Sequence, residues 1–110
     1  MIYKPVGLPP TVLKVSTEMP DIKYSVGGFT DIIYLNSTLV VVLNEGWEVL
    51  DLRPNISLVT HNQQYVQQDT LNGNLFVAEI DSGHNFVDMQ PDRIDKCLDY
   101  LRRGELSDFL

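Results

Sequence analysis

The side chains of this 110-residue chain whose types could do chemistry are His61, His84, Asp81, Ser82 and Cys97. A metal site asks for imidazole, thiolate or carboxylate at short, recurring spacings. Here residues 62–83 separate the two histidines, and neither H-x-x-x-H nor C-x-x-C occurs. Both histidines are therefore expected on the surface, and no metal or cofactor is expected. Asp81-Ser82-Gly83-His84 holds the letters of a hydrolytic triad. Adjacent residues of one turn cannot set nucleophile, base and orienting acid in line, and no G-x-S-x-G elbow is present. Cys97 falls on the apolar side of a predicted helix, which makes it a core thiol rather than a nucleophile. "VGGF", 26–29, is a helix stop before a strand, without the partners of a phosphate loop. Catalysis has no residue set to stand on, so a stoichiometric binder is expected rather than an enzyme.

The polar groups at the end of an apolar strand are the alternative. In "TLVVVLNEGWEVLDLRPN", 38–55, the run Leu39–Leu43 meets Asn44, Glu45 and Gly46. The triplet reads as a hairpin turn, with Asn and Gly supplying positive φ. It also reads as a binding rim, Asn44, Glu45 and Asn55 gathering beside Trp47, a combination that suits a partner's side chains or a flat base. A simple hairpin would leave Asn55 about 25–30 Å from the turn at ~3.3 Å per residue, which favours the turn. In that case the binding site moves to the stretch around Asp69, Glu79 and Asp81.

Charge points the same way. Eight basic and fifteen acidic residues give a net charge of −7, and no Lys or Arg lies between Arg53 and Arg93. Nucleic-acid binding draws on Lys and Arg against phosphate, so direct binding to DNA or RNA is not expected. A basic protein partner, including one that itself grips nucleic acid, is complementary to such a surface. The single cysteine rules out an internal disulfide. The opening "MIYKPVGLPP" is no signal peptide, and no apolar run approaches the ~20 residues of a membrane span. A soluble protein of the cytoplasm is expected, with self-association left open.

The elements that must position these residues follow from periodicity. Residues 1–10, with Pro5, Gly7, Pro9 and Pro10, read as an extended arm. A short strand is predicted over 11–16, and a short helix over 17–28, capped by Thr17 and ended by Gly27 and Gly28. Strands are predicted at 29–35, 39–44, 47–52, 74–80 and 85–89, with 39–44 apolar on both faces and therefore central. Residues 56–73 give no clear period. A helix over 91–104 opens with Pro91, carries Ile94, Cys97, Leu98 and Leu101 on one face, and is laced outside by Asp92–Lys96 and Asp99–Arg103. Leu98 and its neighbours should pack on Val41, Leu43, Phe76 and Ile80. The sum is an α+β fold: a single compact domain with a mostly antiparallel sheet of about five strands, covered on one face by the C-terminal helix.

"VGGFTDIIYL", "LVVVLNEG", "LRPN", "GNLFVAEI" and "NFVDM" before a final helix form a series that resembles a family of short proteins of phages, plasmids and integrated elements, classed as a domain of unknown function. The resemblance covers about residues 24–101. It matches the family at Asn44, Glu45, Pro54 and Asn55, and departs from it at Arg53 and Ile56. It implies a mobile-element setting without known catalysis. The class of function it implies is an inhibitor of a host defence protein, of anti-CRISPR or antirestriction type. The alternatives are a sponge for a defence signalling nucleotide and a structural phage protein.

Overall fold

In the computed structural model, which describes residues 1–62 and 64–110, the elements in chain order are β1 (Ile2–Lys4), β2 (Thr11–Val12), α1 (Val15–Glu18), α2 (Ile22–Val26), β3 (Thr30–Tyr34), β4 (Leu39–Asn44), β5 (Pro54–His61), β6 (Val66–Asn72), β7 (Leu75–Ile80), β8 (Phe86–Val87), α3 (Pro91–Arg102) and β9 (Glu105–Ser107). All six residues of β4 are buried. Successive side chains of a strand point to opposite faces, so such a strand needs cover on both sides and strand neighbours on both edges. The larger sheet supplies the edges in the order β2-β1-β7-β4-β3, all antiparallel, with β8 also on β7.

The registers sort the side chains. Val41 lies opposite Val77, and Val42 opposite Phe76. Ile2, Leu39, Val41, Leu43, Leu75 and Val77 therefore share one face, where they join Cys97 and Leu101 of α3 and Ile56, Leu58, Leu71 and Leu106. The last four belong to β5, β6 and β9, a second, three-stranded sheet in the order β6-β5-β9. Val40, Val42, Phe76, Ala78 and Ile80 face the other way, under Met1, Leu13, Val15, Ile22 and Val26. Layers lie on both sides of the larger sheet.

The α+β class, the mostly antiparallel pairing and the C-terminal helix stand as expected. Several details differ. Nine strands in two sheets, counted among the described residues, replace the single sheet of about five strands. Residues 1–10 are not a free arm: Ile2–Lys4 pair with both β2 and β7, and Met1 and Ile2 are fully buried. The predicted strand at 11–16 shrinks to two residues before α1. The helix at 17–28 is two pieces, the second capped by the Asp21 carboxylate on the Tyr24 N–H (3.1 Å) rather than by Thr17. Residues 47–52 form no strand, because the chain there crosses from one sheet to the other. Pro54 opens β5 instead of breaking a strand, and 56–73, where Gln63 lies outside the described residues, is mostly the β5–β6 hairpin.

The last helix ends at Arg102, and Gly104 leads into β9, whose pairing with β5 is parallel. Phe76 and Ile80 lie on the face away from α3, since strand alternation sends them opposite to Val77. Neither Asp92–Lys96 nor Asp99–Arg103 closes as an ion pair among the described residues; Arg103 instead lies over the Tyr100 ring at 4.7 Å.

Truncating α3 measures how much its packing holds the fold together. Leu101 is 1% exposed and Leu98 only partly buried. Leu101→Ala is expected to cost about 2–5 kcal/mol in urea unfolding, with Leu98→Ala costing clearly less. Equal losses would show that the helix is docked differently.

Candidate functional site

Thr30, Asn44, Lys4 and Leu75 are brought to one end of the larger sheet by the strand registers. The asparagines that the sequence offered as a binding rim are gathered at this end, but their amides point inward. Asn44 is 7% exposed; its Nδ2 donates to the Val26 carbonyl (3.2 Å) and its Oδ1 accepts the Gly46 N–H (2.8 Å). Asn55 donates to the carbonyls of Lys4 (2.8 Å) and Gly73 (2.9 Å) and accepts from the Lys4 ammonium (2.9 Å). Asn74 accepts the Val6 N–H (2.9 Å) and donates to the Ser25 carbonyl (3.1 Å), and Asn72 donates to the Trp47 carbonyl (3.1 Å). Each amide bridges segments distant in sequence. Amides suit this task because one side chain both donates and accepts.

Of these, Asn44 and Asn72 hold the connection 45–53. Trp47 N–H donates to the Asn44 carbonyl (3.0 Å), and Val49 and Leu50 N–H both donate to that of Gly46 (3.0 and 2.8 Å). The triplet 44–46 is thus a turn, as the sequence favoured, but it opens a compact loop and no hairpin. Gly46 does not take a positive φ. A Cβ there would meet Leu50 Cδ1 at 2.6 Å, so glycine makes room for the Leu50 side chain. The Trp47 side chain is partly buried against the core cluster shared by the two sheets and α3. The four expected rim residues therefore divide: Asn44, Asn55 and Trp47 work inward, and Glu45 alone is exposed. The face the loop turns to solvent consists of Glu45, Glu48, Val49, Leu50 and Asp51, with Val49 86% and Leu50 51% exposed. Of these the sequence reading singled out only Glu45.

Asp69 belongs to the smaller sheet, and Glu79 and Asp81 lie at the end of β7 in the larger one. Asp69 lies on β6 in the smaller sheet, where it accepts from Gln67 Nε2 (3.0 Å). Glu79 lies on β7 and pairs with Arg93 (3.4 Å), whose guanidinium also reaches Thr38 (2.7 Å). Asp81 closes its own turn by accepting the N–H groups of Gly83 (2.9 Å) and Asn85 (3.0 Å), and these, the Asn85 bond foremost, hold its carboxyl below the usual range. His84 sits in that turn with φ 62, its N–H on the Asp81 carbonyl, which is no triad geometry.

His61 is tied to Asp108 (2.8 Å) and stacked on Phe109 at 3.8 Å; its bond to Asp108 is the main reason that carboxyl is lowered. Cys97 is buried as expected, and burial pushes its thiol up to about 11. Among the described residues no three His, Cys, Asp or Glu side chains converge as a metal site. No helix there is long and apolar enough to cross a membrane.

A model of the family described as "Domain of unknown function (DUF3846)" matches residues 1–102, nearly the whole chain. The chain belongs to the DUF3846 family. The resemblance to a domain of unknown function thus holds, and it extends over β1 and β2 as well. No curated protein and no solved structure matches the chain.

Two outcomes test this division of the DUF3846 site. Asn44→Ala leaves the Val26 carbonyl and Gly46 N–H without their partner and is expected to cost about 1–3 kcal/mol. Glu45→Ala should stay within about 0.5 kcal/mol. Urea titration of the two variants reads the difference, and a neutral Asn44→Ala would count against the staple.

The second outcome concerns alkaline pH. Cys97 ionises near 9.0 in an ordinary setting but only near 11 in the fold. Above pH 9 the unfolded chain releases this proton and the folded chain retains it. The contribution of the thiol is thus complete below pH 9 and lost as the pH rises towards 11, by up to about 2–3 kcal/mol. The stability of the wild type should fall relative to Cys97→Val between pH 8 and 10.5; a constant difference would place the thiol in contact with water.

Proposed function

We propose that this DUF3846 protein is a non-enzymatic binder that docks on a basic protein through the loop after β4. In this reading it serves a phage or other mobile element, in the cytoplasm of its bacterial host, as an inhibitor of a defence protein of anti-CRISPR or antirestriction kind. The observation that carries the proposal is the outer face of the loop. Two apolar side chains, Val49 and Leu50, stand in water on a segment fixed from beneath, and three carboxylates, Glu45, Glu48 and Asp51, surround them.

Apolar groups displayed on a rigid support, ringed by one sign of charge, have the layout of a protein interface, with an apolar centre and a charged rim. The matching partner offers an apolar recess edged by Lys and Arg. Nucleic-acid-gripping proteins have such basic surfaces, and an acidic loop seated there would compete with phosphate.

The test uses purified nucleic-acid-binding subunits of host restriction and CRISPR complexes, titrated with this protein. Inhibition that saturates at a fixed ratio and weakens as salt is raised is expected. The triple variant Glu45→Lys, Glu48→Lys, Asp51→Lys should keep its melting temperature and slow association by about tenfold or more at low salt. Undiminished inhibition by the triple variant would remove the loop from the interface. Turnover of the target by catalytic amounts would overturn the binder reading itself.

A further inference from the structure

The end of β1 carries a charge that the proposed interface does not use. Lys4 is 8% exposed, so most of the residue is removed from water, and its ammonium is held in part-buried hydrogen bonds. It donates to the Pro5 carbonyl (2.7 Å) and to Asn55 Oδ1 (2.9 Å). Both acceptors are neutral dipoles: they fix the ammonium in place without cancelling its charge, and they engage two of its three donors. Neither of the ion pairs found among the described residues involves Lys4. A withdrawn cation without a counter-charge is unfavourable, and burial accordingly lowers the Lys4 pKa from its ordinary 10.5.

Lys4 lines a cleft of ≈ 390 Å³ together with Gly7, Leu8, Pro9, Pro10, Leu101 and Arg102. That volume lies within the ~300–1,000 Å³ of small-molecule sites. Arg102 is exposed at the end of α3 and enters neither ion pair, although Asp99 and Glu105 lie near it in sequence. The negative end of α3 is damped there, because the Tyr100 and Leu101 carbonyls accept the Arg103 and Gly104 N–H groups (both 3.0 Å). The remaining walls are apolar. Leu8 is 60% exposed, and the turn that presents it is anchored by Leu8 N–H on the Pro5 carbonyl (3.4 Å) and Val6 N–H on Asn74 (2.9 Å). The Pro5 carbonyl thus holds both the turn and the ammonium.

We propose that this cleft, with Lys4 at one side and Arg102 at its mouth, binds a small organic anion, a carboxylate or phosphate monoester carried on an apolar body. The anionic group takes the place of the missing counter-charge, bonded by Lys4 and by the Arg102 guanidinium, which can present two parallel donors to it. The apolar body lies along Leu8, Pro9, Pro10 and Leu101. None of the loop residues 45–51 lines the cleft, so this inference stands independently of the proposed interface.

Benzoate, phenyl phosphate and inorganic phosphate, each titrated to about 10 mM, test the proposal by calorimetry and by the methyl resonances of Leu8 and Leu101. Saturable binding of benzoate or phenyl phosphate is expected, with the Leu8 and Leu101 methyls shifting, and preference between the two tells carboxylate from phosphate ligands. Arg102→Gln, at an exposed position, should keep the fold and weaken that binding at least about fivefold. Lys4→Met should abolish it, and Arg102→Gln alone decides the matter if Lys4→Met fails to fold. Absence of binding by both organic probes, binding unchanged in Arg102→Gln, or inorganic phosphate binding as tightly as phenyl phosphate would each overturn the proposal.

Discussion

Burial of β4 on both faces is the constraint from which the rest of the structure follows. Peptide groups removed from water need partners, and a six-residue strand without an exposed side chain can find them only between two other strands. β7 and β3 fill those places. Two apolar faces also need two covers, and a chain of this length has little sequence to spare for them. One cover is drawn from residues 13–26, and the other combines α3 with the three-stranded sheet. Recruiting β1 into the large sheet follows from the same shortage. β7 is nearly as buried as β4, and its second edge is closed end to end by Ile2–Lys4 and Phe86–Val87.

The outer edge of the large sheet is treated differently. Phe29, just before β3, accepts from Glu45, and Leu35, just after its end, donates to Leu39, so alternation turns the Ile32 N–H outward. The Asp31 carboxylate accepts that N–H at 2.9 Å. A charge seated on an edge donor blocks pairing with another strand, which matters here because Ile32 and Tyr34 are exposed and would otherwise invite it. The opposite logic governs the loop after β4. There Asn44 and Asn72 bond the Gly46 N–H and the Trp47 carbonyl, so the exposed Val49 and Leu50 stand on a loop that is held from beneath.

How much of this was legible depends on where the signal was periodic. "LVVVLN" and "NLFVAEI" announced buried strands, and the spacing Ile94, Cys97, Leu98, Leu101 announced the helix, because alternation and the 3.6-residue period survive in any context. β1 was hidden by Pro5, Gly7, Pro9 and Pro10, which belong to the turn after a strand too short to show a period. β9 was hidden likewise, since three residues beyond Gly104 gain their partner only when α3 brings them back to β5. "WEVLDL" read as a strand although neither of its faces is cleanly polar: Trp47 and Val49 share one with Asp51, and Leu50 and Leu52 share the other with Glu48. The carboxylates at 45, 48 and 51 recur every third residue, a spacing that fits no strand, and this was the signal for a turn-rich loop. Asn44 ends β4 as expected, whereas Asn55 lies at the start of β5 and not after a strand over 47–52, and a residue type that both donates and accepts serves an internal bridge as well as a ligand. Only coordinates separate those uses.

The acidic surplus becomes informative once each carboxylate is assigned its contacts. Asp21 caps a helix, Asp31 guards an edge, Asp81 closes a turn, Asp88 holds the Ser16 N–H and hydroxyl, Asp108 holds His61, and Glu79 is neutralised by Arg93. Asp92, Asp95 and Asp99 share α3 with Arg93, Lys96 and Arg102, which offset part of their charge without closing an ion pair with them among the described residues. Glu45, Glu48 and Asp51 have neither kind of compensation: no side-chain bond engages them among the described residues, and Arg53 is the one cation in their loop. Uncompensated charge in water costs the fold little, but it sets what approaches the surface. Glu45, Glu48 and Asp51 therefore place unpaired charge on a loop that also exposes Val49 and Leu50. The cleft beside Lys4 and Arg102, neither of which enters an ion pair among the described residues, is the converse case elsewhere on the molecule.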